Sequence, residues 1–343
     1  MKRSILTLLA ILSTMVLLQA SCGKEEKNED DGTSGKQQET ESVVKKLSEV
    51  NGPVLIACGD NRIYIFDARK AASQGTYKNS VLWQWNAATA ASKVHLDASS
   101  MIRLDDCKAV DDGKKILATS SSNWVVLLDI EKKEVLWYSN NSRNAHSAEL
   151  MPGNRLVVAC STGNEGTTCN RVQVFDISKV NQELSYVDFE STHGVVYLPS
   201  TQRLYVGGKS KLNIYKLVDW DSDKPKLELE ESVKTSSYVT GIHEVSKVDE
   251  NTLLVAGNKA ALFDAKTKKF TALPYFSGST SLKSVNCLAS SKECWYTDAT
   301  TPEGDFDWST QTIRHTDSAL NGTEQPSIKV DDINMYKVRV YHW

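Results

Sequence analysis

An all-β chain folded as a β-propeller of six blades is what this sequence predicts, and three observations lead there. From residue 51 onward helical periodicity is almost absent, and short Val-, Ile-, Leu- and Trp-rich runs alternate with Gly, Asn, Asp, Ser and Pro. These runs are self-similar and recur in six copies at intervals of roughly 40–60 residues. The run Tyr336 to Tyr341 has no later strand to pair with.

The first run of each copy is Val54-Leu55-Ile56, Ile116-Leu117-Ala118, Leu156-Val157-Val158, Leu204-Tyr205-Val206, Leu253-Leu254-Val255 and Cys294-Trp295-Tyr296. A second run follows most of them and ends in an acidic turn, as in Ile63 to Asp67, Val125 to Asp129, Val172 to Asp176 and Ala261 to Asp264. The fourth copy departs from this, with Lys216 where the Asp would stand. Third runs such as Val81 to Trp85 and Val135 to Tyr138 complete the unit. A strand unit with two apolar faces buries both only between two neighbours, so a ring is the expected solution. Six blades is the reading and seven the alternative. Blade one lacks an inner strand, and the C-terminal run is expected to supply it and close the ring.

The region before the repeats has a different character. Lys2 and Arg3 precede an apolar stretch from Ile5 to Leu18, the pattern of a secretory signal peptide over residues 1–21. Leu18-Gln19-Ala20-Ser21-Cys22 resembles a lipobox, with Gln19 atypical, and implies a lipid on Cys22 as the membrane anchor. Residues 22–50 then read as a disordered acidic tether, and 51–343 as the propeller domain. The expected location is the outer membrane, lipid-anchored, at the cell surface or the periplasmic face. Net charge is −3 with both signs interspersed, which argues against nucleic acid as a partner.

Six cysteines follow Cys22. Cys160 and Cys169 flank one polar loop and Cys287 and Cys294 another, so both pairs are candidates for disulfides, with Cys58–Cys107 left as the third. No Cys-x-x-Cys is present.

Several runs together carry a family resemblance. They are Cys58-Gly59-Asp60-Asn61-Arg62-Ile63, Asp105-Asp106-Cys107-Lys108, Asn144 to Leu150, His193-Gly194-Val195-Val196, Leu217-Val218-Asp219-Trp220-Asp221 and Tyr336-Lys337. In these the chain resembles uncharacterised lipid-anchored six-bladed propeller proteins of Gram-negative anaerobic bacteria. The resemblance covers nearly all of residues 54–343 and implies a fold and a compartment; the family has no settled activity.

Motifs for a serine hydrolase elbow, a zinc protease helix, a phosphate loop or a dinucleotide site are absent from the sequence. The adjacent cysteine pair of quinone-cofactor propellers is absent too. One constellation stands out when the copies are aligned. Asp106, His146 and His243 each lie ten residues before their copy's first run, and His193 lies eleven before its own. His146 and His193 share a six-residue spacing to Pro152 and Pro199. Lys283 occupies the matching region of the sixth copy, and Lys337 is the candidate in the closing strand. In a propeller the starts of the inner strands cluster at one mouth of the channel, so Asp106, His146, His193, His243, Lys283 and Lys337 are expected to meet there.

Two chemistries fit that set. Asp106 with the three histidines suits a divalent metal, lost below about pH 6 as the imidazoles protonate. Protonated imidazoles beside the lysines suit a glycan or other polyanion instead, bound more tightly in acid. A capping role for each histidine, on a neighbouring carbonyl, is the structural alternative. The leading function is therefore a tethered propeller that binds a ligand, glycan or polyanion, at the channel mouth. Trp85, Trp137 and Trp220 are candidate stacking faces, although packing between blades is their commoner fate. A propeller enzyme, either a metal-assisted polysaccharide lyase or a sulfotransferase-like protein, is the second class. A structural partner in a surface protein complex is the third.

Overall fold

The computed structural model describes residues 41–92, 101–163 and 169–341. The signal segment and Cys22 lie outside the described residues. Among the described residues no helix is long and apolar enough to cross a membrane.

Six sheets, each built around four antiparallel strands, form the six blades. From blade one to blade six the innermost strands are Met335–Val340, Leu104–Val110, Ala145–Met151, Thr192–Leu198, Glu244–Lys247 and Leu282–Cys287. Each lies against the next, and the sixth lies against the first, so the ring is closed. The strand Met335–Val340 joins blade one antiparallel to Val54–Gly59, with Leu55 opposite Val340 and Ala57 opposite Val338. Its other side is tied to blade six. The Val338 N–H donates to Ser284 Oγ at 3.0 Å, and Asn286 Nδ2 donates to Val338 O at 2.7 Å. C-terminal closure and six blades are thus both realised.

Second strands are buried from end to end, as in Val54–Gly59 and Arg155–Cys160, because a blade lies on each side of them. Outer strands alternate, as Glu134–Ser139 does, because one edge faces water. The tryptophans of these outer strands fasten blade to blade. Trp83 Nε1 donates to Ile130 O at 2.8 Å, and Trp137 Nε1 donates to Lys179 O at 2.8 Å. Such bonds contribute about 1 kcal/mol each beyond the burial of the ring. The acidic turns have a local cause: Asp129 Oδ1 accepts from Lys132 N, and Asp264 Oδ1 from Thr267 N. Where Lys216 replaces the Asp, no turn is made and the strand runs on from Lys211 to Val218.

The domain starts earlier than its composition suggests. A helix spans Val43–Ser48 inside the segment expected to be a disordered tether, and the compact unit begins at Glu41. Ser42 caps the helix, Glu131 of blade two accepts from Ser42 Oγ at 2.5 Å and from Val43 N at 2.9 Å, and Leu47 is fully buried beside Val54 and Trp83. Val43, Val44 and Leu47 form the apolar stripe that docks it, too short to register as a helix by periodicity alone.

Of the expected disulfides, Cys287–Cys294 is formed. Cys160 and Cys169 are free thiols that hydrogen-bond one another, and so are Cys58 and Cys107, the pair left as a third bridge. Burial pushes the Cys160 thiol up, while the bond from Cys160 holds that of Cys169 down.

Candidate functional site

The channel is built by a repeated irregularity of the inner strands. In blade two the pairing register skips between Leu104 and Asp106, leaving Asp105 unpaired. The same skip leaves out His146 in blade three, His193 in blade four and Lys283 in blade six. In blade one Tyr336 and Lys337 together oppose Cys58, and in blade five His243 sits just before the first paired residue, Glu244. A bulge of this kind re-aims one side chain out of the alternation of its strand. Here it sends one side chain per blade into a common mouth.

That upper ring consists of Tyr336, Asp105, His146, His193, His243 and Lys283, which all line one cavity of about 510 Å³. The rings of His146 and His193 stack at 4.4 Å, and His193 meets His243 edge-on at 4.9 Å. Tyr336 lies 5.2 Å from His146, and its hydroxyl is 2.8 Å from His243 Nδ1. Lys283 Nζ is 3.4 Å from His243 Nε2 and 5.5 Å from the centre of the Tyr336 ring. The donated Lys283 proton makes Nε2 an acceptor, so Nδ1–H faces the phenol oxygen and the Tyr336 O–H is left to donate into the cavity. One wall comes from the loop 299–311 of blade six, which brings Asp307 and Trp308 to the mouth opposite Arg103. Gly194 makes the convergence of His193 and His243 feasible, because a Cβ there would sit 2.4 Å from Val245 N of blade five.

Burial dominates the electrostatics. It pushes His146 and His243 well below the ordinary imidazole value, reinforced by neighbouring imidazoles and lysines, and pushes His193 down to about 3. The three rings are therefore neutral at physiological pH. Burial also lowers Lys283 to about 8, against the pull of Asp298 and Asp307, and raises Asp105 to about 8, against the pull of Lys337. Among the described residues of this ring, two buried polar atoms have no hydrogen-bond partner: Asp105 Oδ2 and His146 Nδ1, which lie 3.7 Å apart.

One residue further along, a second, sealed ring is formed by Lys337, Asp106, Ser147, Glu244 and Ser284, with Gly194 leaving its position in blade four without a side chain. Arg339, two residues beyond Lys337, reaches into it and grips Asp106 with two bonds of 2.8 Å, from Nε to Oδ1 and from Nη2 to Oδ2. Its remaining nitrogen, Nη1, donates to Glu244 Oε1. Lys337 Nζ lies 3.5 Å from Glu244 and donates to His193 O at 2.6 Å, and Ser147 Oγ donates to Asp106 at 2.7 Å. Burial alone would raise Asp106, but Arg339 and Lys337 hold its carboxyl well below the usual range. Lys108 and Glu149, paired at 3.0 Å, continue the charge network toward the opposite mouth.

Two sequence expectations are corrected by this register. Asp106 and Lys337 lie on the right strands, but one residue too deep: the mouth positions are Asp105 and Tyr336, and Asp106 and Lys337 belong to the buried plug. The expected metal set does not assemble, because Asp106 is bound by Arg339 and both nitrogens of His243 are engaged by Tyr336 and Lys283. Among the described residues no group of three or more His, Cys, Asp or Glu side chains is placed to hold a metal ion. The capping role is realised for His193, whose Nδ1 lies 2.9 Å from Ser191 O. Trp137 packs against Phe175 between blades, and Trp220 Nε1 donates to Pro152 O, so neither faces the mouth. The tryptophan that does, Trp308, belongs to Phe306-Asp307-Trp308 in a long loop, the one signal that could have flagged it.

Fold and mouth together define a six-bladed β-propeller with a polar pocket above a charge-neutral plug. The chain belongs to the family of unknown function DUF6528, whose model matches residues 1–304. Curated proteins yield no match. Among solved structures the chain is similar to a functionally unknown protein from Desulfotomaculum acetoxidans, with a TM-score of 0.51 and 12% identity over 81% of this chain and 80% of that one. A chain from the crystal structure of the mitotic checkpoint complex aligns with a TM-score of 0.46 and 14% identity over 82% of this chain and 78% of that one. At 12% identity the likeness to the Desulfotomaculum acetoxidans protein concerns the fold.

Proposed function

We propose that this propeller is a binding protein whose upper ring takes an acidic sugar unit, with the carboxylate on Lys283 and the hydroxyls on the imidazoles. The observation that carries this is the convergence of six side chains, one from each blade, on a single cavity of about 510 Å³. Two buried polar atoms there, Asp105 Oδ2 and His146 Nδ1, have no partner, at a cost of about 1–3 kcal/mol each that a hydroxylated ligand would relieve. Lys283 is the ammonium within the cavity, and Trp308 and Tyr336 offer ring faces of the kind sugars stack on. Because the imidazoles are neutral, affinity is not expected to rise in acid. It is expected to fall as pH rises through about 8, where Lys283 loses its charge.

Calorimetry of the protein with uronic-acid oligosaccharides tests this. His146→Ala and Lys283→Met should each abolish binding while the melting temperature changes by only a few degrees. Binding that survives Lys283→Met, or that strengthens steadily above pH 9, would overturn the reading. Turnover of the same saccharides would move the protein to the enzyme class instead.

The setting of this binding function is part of the proposal. A signal peptide over residues 1–21, a lipid on Cys22 and the polar segment that follows support display of the propeller at the outer membrane, alone or within a surface complex. Cys22→Ala should release the folded domain into the soluble fraction. Its retention in the membrane pellet would remove the anchor from the account.

A further inference from the structure

We propose that the groove between blades one and two is a second ligand site, one that takes a tetrahedral oxyanion such as the sulfate or phosphate group of an ester. The groove is a cavity of about 460 Å³ and shares no lining residue with the channel mouth. Gln84, Trp85 and Asn86 of the outer strand of blade one form one side, and Lys132 and Lys133 of a blade-two turn form the other.

Three features point to an anion. No carboxylate lines the groove among the described residues. Arg62, at its edge, is committed to Asp332 at 2.9 Å, but among the described residues Lys132 and Lys133 have no acidic partner, and both residues are exposed. Lys133 is steadied by the face of Trp83, 5.4 Å from its Nζ, rather than by a counter-charge. The third feature is Trp85. Only 4% of it is exposed, it lines the cavity, and its indole N–H has no hydrogen-bond partner. The outer-strand tryptophans Trp83 and Trp137 both spend that proton on a carbonyl of the next blade. A buried donor left idle in a groove that Lys132 and Lys133 also line is a complement to an oxyanion, which accepts several donors at once. A carboxylate-bearing ligand would suit the mouth, whereas the groove offers donors from two sides, as a tetrahedral group requires.

The test follows the indole N–H resonances of the ¹⁵N-labelled protein during titration with inorganic sulfate, and separately with inorganic phosphate. Chloride at matched ionic strength serves as the control, because plain screening acts on any exposed lysine. The Trp85 resonance, identified by its loss in Trp85→Phe, should shift and saturate with a Kd of about 1 mM or tighter. Lys132→Ala combined with Lys133→Ala should weaken binding roughly tenfold. Both lysines lie on an exposed turn, so that variant keeps the test open if Trp85→Phe does not fold. An unmoved Trp85 resonance, an equal shift with chloride, or wild-type affinity in the double-lysine variant would each overturn the site. None of these outcomes depends on the mouth binding anything.

Discussion

The two upper rings of the channel stand one residue apart on the same six strands, yet they differ in how their polar groups are satisfied. In the deeper ring Asp106 and Glu244 share Arg339 and Lys337, Ser147 adds a bond to Asp106, and the one oxygen left without a hydrogen bond, Glu244 Oε2, still lies 3.5 Å from the Lys337 ammonium. In the mouth, Asp105 and His146 each keep a buried polar atom unpartnered, and Lys283 faces the cavity with an imidazole as its nearest acceptor. Both rings share strands and blades, but the deeper one is sealed and sets charge against charge, whereas the mouth opens on the cavity. Charges paired in the interior hold a structure together, and polar groups left unpaired around a cavity await something else.

The comparison is open to attack at several strengths. The largest effect should come from removing residues 335–343, which takes away the inner strand of blade one together with Lys337 and Arg339. The edge of Val54–Gly59 and the apolar faces beside it would be exposed, and the cooperative melting transition should vanish. A preserved transition would mean that the ring stands without its clasp. Next comes Arg339→Ala, which leaves Asp106 and Glu244 buried without their main counter-charge and should cost about 3–5 kcal/mol in denaturant unfolding. If His146→Ala in the mouth costs as much, the division between the rings fails.

Subtler still is Asp105→Asn. Burial raises the Asp105 carboxyl from its ordinary 3.8 to about 8 in the folded state, so folding favours its protonated form. That contribution is complete below 3.8 and is lost as pH rises through about 8. Relative to wild type, Asp105→Asn should therefore gain stability progressively from pH 4 to pH 8, read from unfolding curves across that range. A difference independent of pH would show that Asp105 is ionised when folded.

Much of this was legible in the sequence, and the limit has a definite cause. The repeated apolar runs located every blade, and the distance from each run back to His146, His193 and His243 placed those residues correctly at the mouth. The same spacing argument chose Asp106 over Asp105 and Lys337 over Tyr336, because a bulge inserts a residue without changing the apolar pattern on either side. The plug was illegible for another reason. Glu244 and Arg339 are 95 residues apart, and Asp106 and Arg339 are 233 apart, so nothing local announces that they pair. The helix Val43–Ser48 was lost in a polar stretch whose composition outweighed three apolar residues.

Closure by the strand Met335–Val340 also bears on how the chain is made. Synthesis delivers that strand after every other strand described, and with it two of the three cations of the plug. Until it emerges, Asp106 and Glu244 lack Arg339 and Lys337, and the first blade lacks its inner edge. An interrupted chain is thus left with an open ring and uncompensated acids at its centre, a state that proteases and chaperones recognise by its exposed edges. The ring in effect audits its own length, and only a ribosome that has read as far as Val340 releases a chain able to close.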